Sequence, residues 1–287
     1  MFNDIVIVRG GGDIASGTIQ KLYRSGFKVL VLEVANPTSI RRKVCYSEAI
    51  YEGQITIEGI TSVLVTNISE IKEAWVQNKI PVIIDSDGHY INIIKPKILV
   101  DAILAKRNLG TKINMADITI AIGPGFQAGK DVNVVVETMR GHNLGKLIFE
   151  GQAMPNTGIP GEIKGVSKER VIYSPCNGFI KNVKKIGDVV KSGQIIAYAD
   201  DSEVLATIDG VLRGLIRNGS QVWMGLKIAD IDPRLSELEN CFTISDKARS
   251  IAGGVLEAIL YLKNKQNDER CISYGRKNTK QNLRKSS

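Results

Sequence analysis

Short runs of consecutive apolar residues, separated by stretches with helical spacing, organise residues 1–122. The runs DIVIV (4–8), KVLVLE (28–33), TSVLVT (61–66), PVIID (81–85) and DITIAIG (117–123) predict strands. They are apolar throughout rather than alternating, as strands buried on both faces are. That predicts a parallel sheet covered by helices. Between the first two runs, Ala15, Ile19, Leu22 and Tyr23 share one helical face, and further helices are expected near 69–78 and 96–107.

The pattern changes after residue 122. Residues 123–165 are glycine-rich and hold two strand-like runs, VNVVVET and GKLIFEG, which RGHN could join as a hairpin. A long glycine-rich excursion is more often functional than a plain connection, so this segment is expected to complete a site built on the first domain. Residues 166–235 contain an internal repeat. SPCNGFIKNVKKIGDVVKSG (174–193) aligns with ATIDGVLRGLIRNGSQVWMG (206–225) at a constant offset of 32 residues. Gly178, Gly187 and Gly193 match Gly210, Gly219 and Gly225, while Ile180, Val183 and Val190 match Leu212, Leu215 and Val222. Such half-repeats resemble those of biotinyl- and lipoyl-type domains, where two β units interlock as a barrel-sandwich. The joining segment AYADDSEVL (197–205) has no lysine, which rules against carrier chemistry and leaves a structural or docking role.

A helix is expected within 236–262, capped by Ser245 or Asp246, with Ile251, Val255, Leu256, Ile259 and Leu260 on its apolar face. The Gly253–Gly254 pair weakens it by roughly 1 kcal/mol each unless close packing compensates. The expected fold is therefore α/β. A Rossmann-like doubly wound parallel sheet (1–122) is followed by the glycine-rich β segment (123–165), a barrel-sandwich (166–235), a C-terminal helix (236–262) and a disordered basic tail (263–287).

Composition changes this picture little. Hydrophobic residues make up 43% and charged residues 24% of the 287, an ordinary globular balance. No apolar run is long enough to cross a bilayer and the opening MFND lacks a signal-peptide layout, so a cytoplasmic protein without membrane contact is expected. The net charge of +8 is concentrated in the tail, where eight Lys or Arg from Lys263 onward face only Asp268 and Glu269. That distribution argues against a nucleic-acid surface on the folded part. Cys45, Cys176, Cys241 and Cys271 are widely spaced, as are His89 and His142, so no zinc or iron–sulfur spacing exists and no metal site is expected.

Four stretches carry candidate chemistry. Gly10-x-Gly12-x-x-Ala15-x-Gly17 follows a strand and opens a helix, the setting of a dinucleotide fingerprint. Glu33 ends the next strand, placed to bond a ribose 2′-OH of NAD or another nucleotide. The alternative is a plain tight turn. Asp13 inside this loop could cap the helix, pair with Arg9, or hold a magnesium ion against phosphates. In PTSIRRKV (37–44) a cationic pair could bind an anion or face solvent. Asp85, Asp87 and the Asp101/Lys106 pair are acid–base candidates, against a helix salt bridge as the plainer account. Gly123-Pro124-Gly125 offers a second nest of N–H groups, with Arg140 as a cation and His142 as a group titrating near neutrality.

Taken together, RGGGDIASG, AKRNLGT, AIGPGFQAGKDV, ETMRGHNLGK, NTGIPG, DPR and ISDKARSIAGGVLEA resemble the YqeB family over roughly residues 1–262. The resemblance implies an accessory protein of the selenium-dependent molybdenum hydroxylase system, concerned with maturation of xanthine dehydrogenase-like enzymes. It implies a nucleotide or molybdopterin-dinucleotide-type cofactor as cargo and a molybdenum hydroxylase client as partner. Self-association is left open, as is whether the protein is an enzyme. The alternative is an NAD-dependent oxidoreductase or a selenium- or sulfur-insertion enzyme acting on the same cofactor. No catalytic residue is carried over from the family.

Overall fold

The computed structural model describes residues 4–156, 158 and 165–283. Strand β1 (Ile5–Arg9) runs into helix α1 (Asp13–Arg24) and returns as β2 (Lys28–Glu33). An irregular strap follows, ending in the single turn α2 (Ala49–Glu52), then the hairpin β3 (Gln54–Ile57) and β4 (Ile60–Val65). Next come α3 (Ile68–Val76), β5 (Ile80–Ile84), α4 (His89–Ile94), β6 (Ile98–Asp101), β7 (Ile118–Ile122), β8 (Val134–Val136) and β9 (Leu147–Ile148). All nine strands form one sheet in the order β3-β4-β5-β2-β1-β6-β7-β8-β9.

The pairing follows from the apolar runs. Val6 and Val8 of β1 lie opposite Val29 and Val31 on one side and Ile98 and Val100 on the other. On one face these residues pack against Ala15, Ile19 and Leu22 of α1. The same core takes Ala248, Ile251, Val255 and Ile259 of the C-terminal helix α5 (Asp246–Leu283). On the other face Ile7, Leu30 and Leu99 meet Ile71 of α3 and Ile91 of α4. Ser245 caps α5, its hydroxyl accepting the Ala248 N–H at 3.2 Å.

The second unit comprises β10 (Val171–Tyr173), β11 (Gly178–Asn182), β12 (Val189–Val190), β13 (Ile195–Ala199), β14 (Ser202–Leu205), β15 (Gly210–Leu215), β16 (Gln221–Val222) and β17 (Lys227–Asp232). They form two four-stranded antiparallel sheets, β10-β17-β15-β12 and β14-β13-β11-β16. The repeat maps strand for strand, β11, β12 and β13 onto β15, β16 and β17. Each sheet borrows one strand from the other half. Gly178 and Gly210 share a φ of 158°, and a side chain on Gly178 would run into the Asp200 carboxylate.

The expected fold is corrected at several points. The large sheet is not a doubly wound parallel Rossmann sheet: β3 is antiparallel to β4, β9 is antiparallel to β8, only a three-residue 3₁₀ turn (Ile113–Met115) lies between β6 and β7, and no helix joins β7 to β8. It does not stop at residue 122, because β8 and β9 of the glycine-rich segment extend it. The second unit is a pair of antiparallel sheets, each with two edges and each including two strands from outside the aligned stretches (β10 and β17, or β13 and β14), rather than the expected biotinyl/lipoyl-like barrel-sandwich. The helix expected over 96–107 is strand β6 and a loop. Parallel pairing of β6 between β1 and β7 outweighs helical spacing in ILVDAIL, and positive φ at Leu104 and Lys106 ends regular structure. Helix α5 runs to Leu283, past its expected end at 262 and into the tail expected to be disordered. Part of the NTGIPG motif lies outside the described residues, as do residues 284–287.

The two glycines inside α5 play different roles. A Cβ on Gly254 would collide with the Gly145 carbonyl oxygen, whereas one on Gly253 would meet only the Lys21 ammonium at 3.9 Å. Gly254→Ala should therefore lower stability by about 1–3 kcal/mol, while Gly253→Ala should raise it by up to ~1 kcal/mol through helix propensity. Urea denaturation of the two variants measures both, and equal effects would contradict this packing.

Candidate functional site

The chain reverses its direction across the sheet at β1, with β2 on one side and β6 on the other. In α/β sheets that point leaves a crevice at the carboxyl ends of the strands. Gly10 makes the tight turn there with a φ of 93°, and a Cβ on it would lie 3.0 Å from the Ala102 carbonyl oxygen. Gly12 is the N-cap residue of α1 without a side-chain cap. Ala15 is fully buried in the core under the sheet. Gly17 faces α5, where an added Cβ would meet the Ala248 carbonyl oxygen at 2.7 Å, so it serves helix packing.

The loop's donors do not all face a ligand. Glu33 turns back and accepts the Gly11 N–H at 2.7 Å through Oε2 and the Val34 N–H at 2.8 Å through Oε1. Burial pushes its carboxyl above the usual range, against the pull of these two bonds. The residue expected to bind a ribose thus fills part of the N–H nest itself. Asp13 neither caps the helix nor meets Arg9. Its Oδ2 lies 3.6 Å from Arg41 Nη1. Arg9 instead donates to Thr111 Oγ1 at 2.7 Å, to the Ser86 carbonyl and to Asp101.

Carboxylates at the strand ends repeat this arrangement. Asp101 Oδ2 accepts from Thr111 Oγ1 at 2.6 Å and Oδ1 from the Ile103 N–H at 3.2 Å. Burial raises its pKa against those bonds and the Arg9 charge. Asp85 accepts the N–H groups of His89 and Tyr90, both at 2.8 Å, and so holds the start of α4. Among the described residues, Asp87 accepts only from its neighbour Ser86. Glu137 at the end of β8 is buried and accepts three loop N–H groups, from Thr138, Met139 and Met154, at 2.6–2.8 Å. Sequence reasoning passed over Glu137, because one acid after an apolar run looks like any strand terminus.

Beside this edge lies a cleft of about 280 Å³ lined by Ile14, Leu104, Lys106, Pro124, Thr138, Met139, Arg140, Met154, Asn156 and Lys247. Its walls are loops held by the strand-end carboxylates and brought together by two glycines. A Cβ on Gly125 would sit 2.5 Å from the Arg107 backbone nitrogen, and one on Gly123 would sit 2.9 Å from Thr138 Oγ1. The Gly123 N–H is taken by the Val136 carbonyl at 2.9 Å, so Gly123 acts through close packing rather than as a free donor.

Three cationic side chains reach the cleft. Arg140 makes a bidentate pair with Asp246, at 2.9 and 3.1 Å. Lys106 lies 3.0 Å from the Asn156 amide oxygen when that amide is turned to face donors. Lys247 has no carboxylate within 4.0 Å among the described residues. Burial first, and the Arg140 charge second, depress its pKa, opposed by Asp13, Asp246 and Glu137. An anion entering the cleft would relieve that cost. Lys247 was missed because, next to Asp246 at a helix start, it reads as an ordinary solvated residue.

The structure thus brings Lys106 and Arg140 together, but not with Asp101, which belongs to the buried Arg9 network. His142 sits on an exposed turn outside the cleft. The pair in PTSIRRKV is neither an anion site nor a solvated face: Arg41 is buried and donates to the Asn240 and Thr243 carbonyls, and Arg42 donates to the Leu215 carbonyl at 2.8 Å. Cys45 and Cys241 are buried, and burial pushes both thiols up, so neither is a ready thiolate.

A scan against protein-family models finds no match. Over 260 residues the chain is 47% identical to the uncharacterized protein YqeB of Escherichia coli (strain K12), a match covering 91% of this chain and 48% of that protein. The chain spans about half the length of that curated relative, and the identity supports the YqeB family resemblance. Among solved structures, a succinylglutamate desuccinylase from Silicibacter sp. TM1040 is 10% identical, with 80% of this chain and 84% of that one covered and a TM-score of 0.24. An aspartoacylase family protein from Mesorhizobium loti is also 10% identical, covering 80% and 85%, at 0.24. Scores this low establish neither a common fold nor a common chemistry.

The Arg140–Asp246 pair holds the Asp246 carboxyl at about 2, below its ordinary 3.8. A depressed carboxyl contributes stability that is present above its unfolded pKa and lost as pH falls through the folded one. The stability difference between the native chain and Arg140→Gln should therefore be constant above about pH 5 and shrink between about pH 4 and pH 2. Urea midpoints against pH measure it, and a pH-independent difference would rule this pairing out.

Proposed function

We propose that the protein is an accessory, maturation-type protein for selenium-dependent molybdenum hydroxylases, which holds a phosphate-bearing, nucleotide-type cofactor in the cleft and presents it to its client. The observation that carries this reading is Lys247, a half-buried cation that makes no ion pair within 4.0 Å among the described residues, facing an otherwise preformed cleft beside Lys106 and Arg140. The resemblance to the YqeB family supplies the pathway.

The donor set fits a phosphate end: two lysines as point charges and one arginine already oriented by Asp246. Ile14, Leu104, Met139 and Met154 supply an apolar wall for a planar group. At about 280 Å³ the cleft holds one end of a dinucleotide, so a molybdopterin dinucleotide or NAD would extend out of it, toward a client. The pyrophosphate is not assigned to the loop at Gly10–Gly12, because Glu33 already takes the Gly11 N–H. Burial and raised pKa values weigh against sulfur or selenium insertion by Cys45 or Cys241. Oxidoreduction with NAD remains the competing chemistry, since the same cleft could take its phosphates.

Titration calorimetry with NAD, CTP and molybdopterin dinucleotide tests the proposal. At least one is expected to bind, and Lys247→Ala and Lys106→Ala are each expected to weaken it about tenfold, the worth of a charge-assisted contact of roughly 1.5 kcal/mol or more. The reading fails if none of the three binds the intact protein, with or without a molybdenum hydroxylase present. It fails equally if both variants bind as tightly as the native chain. A change in NADH absorbance on turnover would establish the oxidoreductase instead.

A further inference from the structure

A second concave site lies where the two units meet, lined by residues of both. It is a groove of about 480 Å³ formed by the strap after β2 and by β11 and the β15–β16 connection. Three aromatic side chains line it: Tyr51 from the first unit, Phe179 and Trp223 from the second. Phe179 and Trp223 are more than half exposed, at 58% and 55%. Exposed large aromatics from two units converging on one hollow are the usual composition of a site for a planar ligand.

The electrostatics select which planar ligand. Arg217 is the cation of the groove, and it is fully committed. It pairs with Glu48 at 3.0 Å and with Glu52 at 2.7 Å, and its guanidinium lies 4.5 Å from the Tyr51 ring centroid. No positive charge is left over to hold a phosphate. Asn36 and Gln221, by contrast, make no side-chain hydrogen bond among the described residues, so amide donors and acceptors stand ready at the rim. Amides select a ring system with its own donors and acceptors.

We propose that this groove binds an uncharged planar heterocycle of nucleoside size, packed against Trp223 and Phe179 and hydrogen-bonded by Asn36 and Gln221. The site is separate from the cationic cleft and does not depend on the reading given for it. Its frame is built to stay put, because Arg217 and its two glutamates tie the strap to the second unit.

Trp75→Phe leaves Trp223 as the single tryptophan, so its emission reports the groove directly. Adenosine and riboflavin, one a purine and the other an isoalloxazine and neither carrying phosphate, are titrated by emission and by equilibrium dialysis. Saturable binding of at least one is expected, with a change in Trp223 emission. Dialysis against the otherwise native chain should show at least a tenfold loss in Trp223→Ala, as base–aromatic stacking implies, and a several-fold loss in Gln221→Ala, both at exposed positions. Preference between the two probes identifies the ring class. If neither binds saturably, or if Trp223→Ala binds as well as the native chain, the proposal is overturned. Since both probes lack phosphate, that outcome leaves the cleft's own test untouched.

Discussion

The loop edge of the sheet depends on carboxylates at the ends of its parallel strands, Asp101 and Glu137 buried, Glu33 and Asp85 half-buried. Glu33, Asp85, Asp101 and Glu137 each accept backbone N–H groups from the loop that follows their strand or from a neighbouring loop. Burying a carboxylate costs several kcal/mol unless hydrogen bonds replace its water. The loops supply those bonds, and in return their otherwise orphaned donors are satisfied. Neither the loops nor the acids are stable in these positions without the other. The cleft walls at Thr138, Met139 and Met154 are where they are because Glu137 holds all three.

The same logic ties the two units together. The strap after β2 gives its Ile40 carbonyl to the Leu215 N–H at 2.8 Å and receives the Leu215 carbonyl through Arg42. Arg41 spans from Asp13 on α1 to the backbone before α5. Its burial, and the nearby Arg213 charge, lower its pKa, a cost accepted where three elements converge. Asp13 is consequently a junction residue. It balances Arg41 and lies close enough to Lys247 to oppose the depression of that ammonium, which links the glycine loop to the cleft.

Close backbone approaches complete the arrangement. Gly17 lets α1 meet α5 at Ala248, Gly254 lets α5 meet the β8–β9 turn at Gly145, and Gly125 lets the loop after β7 touch the one after β6. Two of these contacts were foreshadowed as glycine motifs, but as ligand loops rather than as packing points. A glycine motif announces that something comes close to the backbone. Whether the visitor is a phosphate or another helix is a tertiary matter.

Several elements were legible from residues alone. The period of the apolar runs located β1, β2, β4, β5 and β7, and the aligned repeat located two strand pairs of the second unit, β11 with β15 and β12 with β16, because these depend on local spacing. Ser245 was legible as a cap for the same reason. The sheet's mixed edges, the strand at Ile98–Asp101, the partner of Asp13 and the inward turn of Glu33 were not. Each is decided by residues distant in sequence: β6 by β1 and β7, Asp13 by Arg41, Lys247 by loops more than a hundred residues away. The chain's pattern determines which segments must be buried and where it can bend. Only their packing decides which charges meet, and hence which cations stay free for a ligand, because charge pairing falls off over a few ångströms and sequence does not measure that distance.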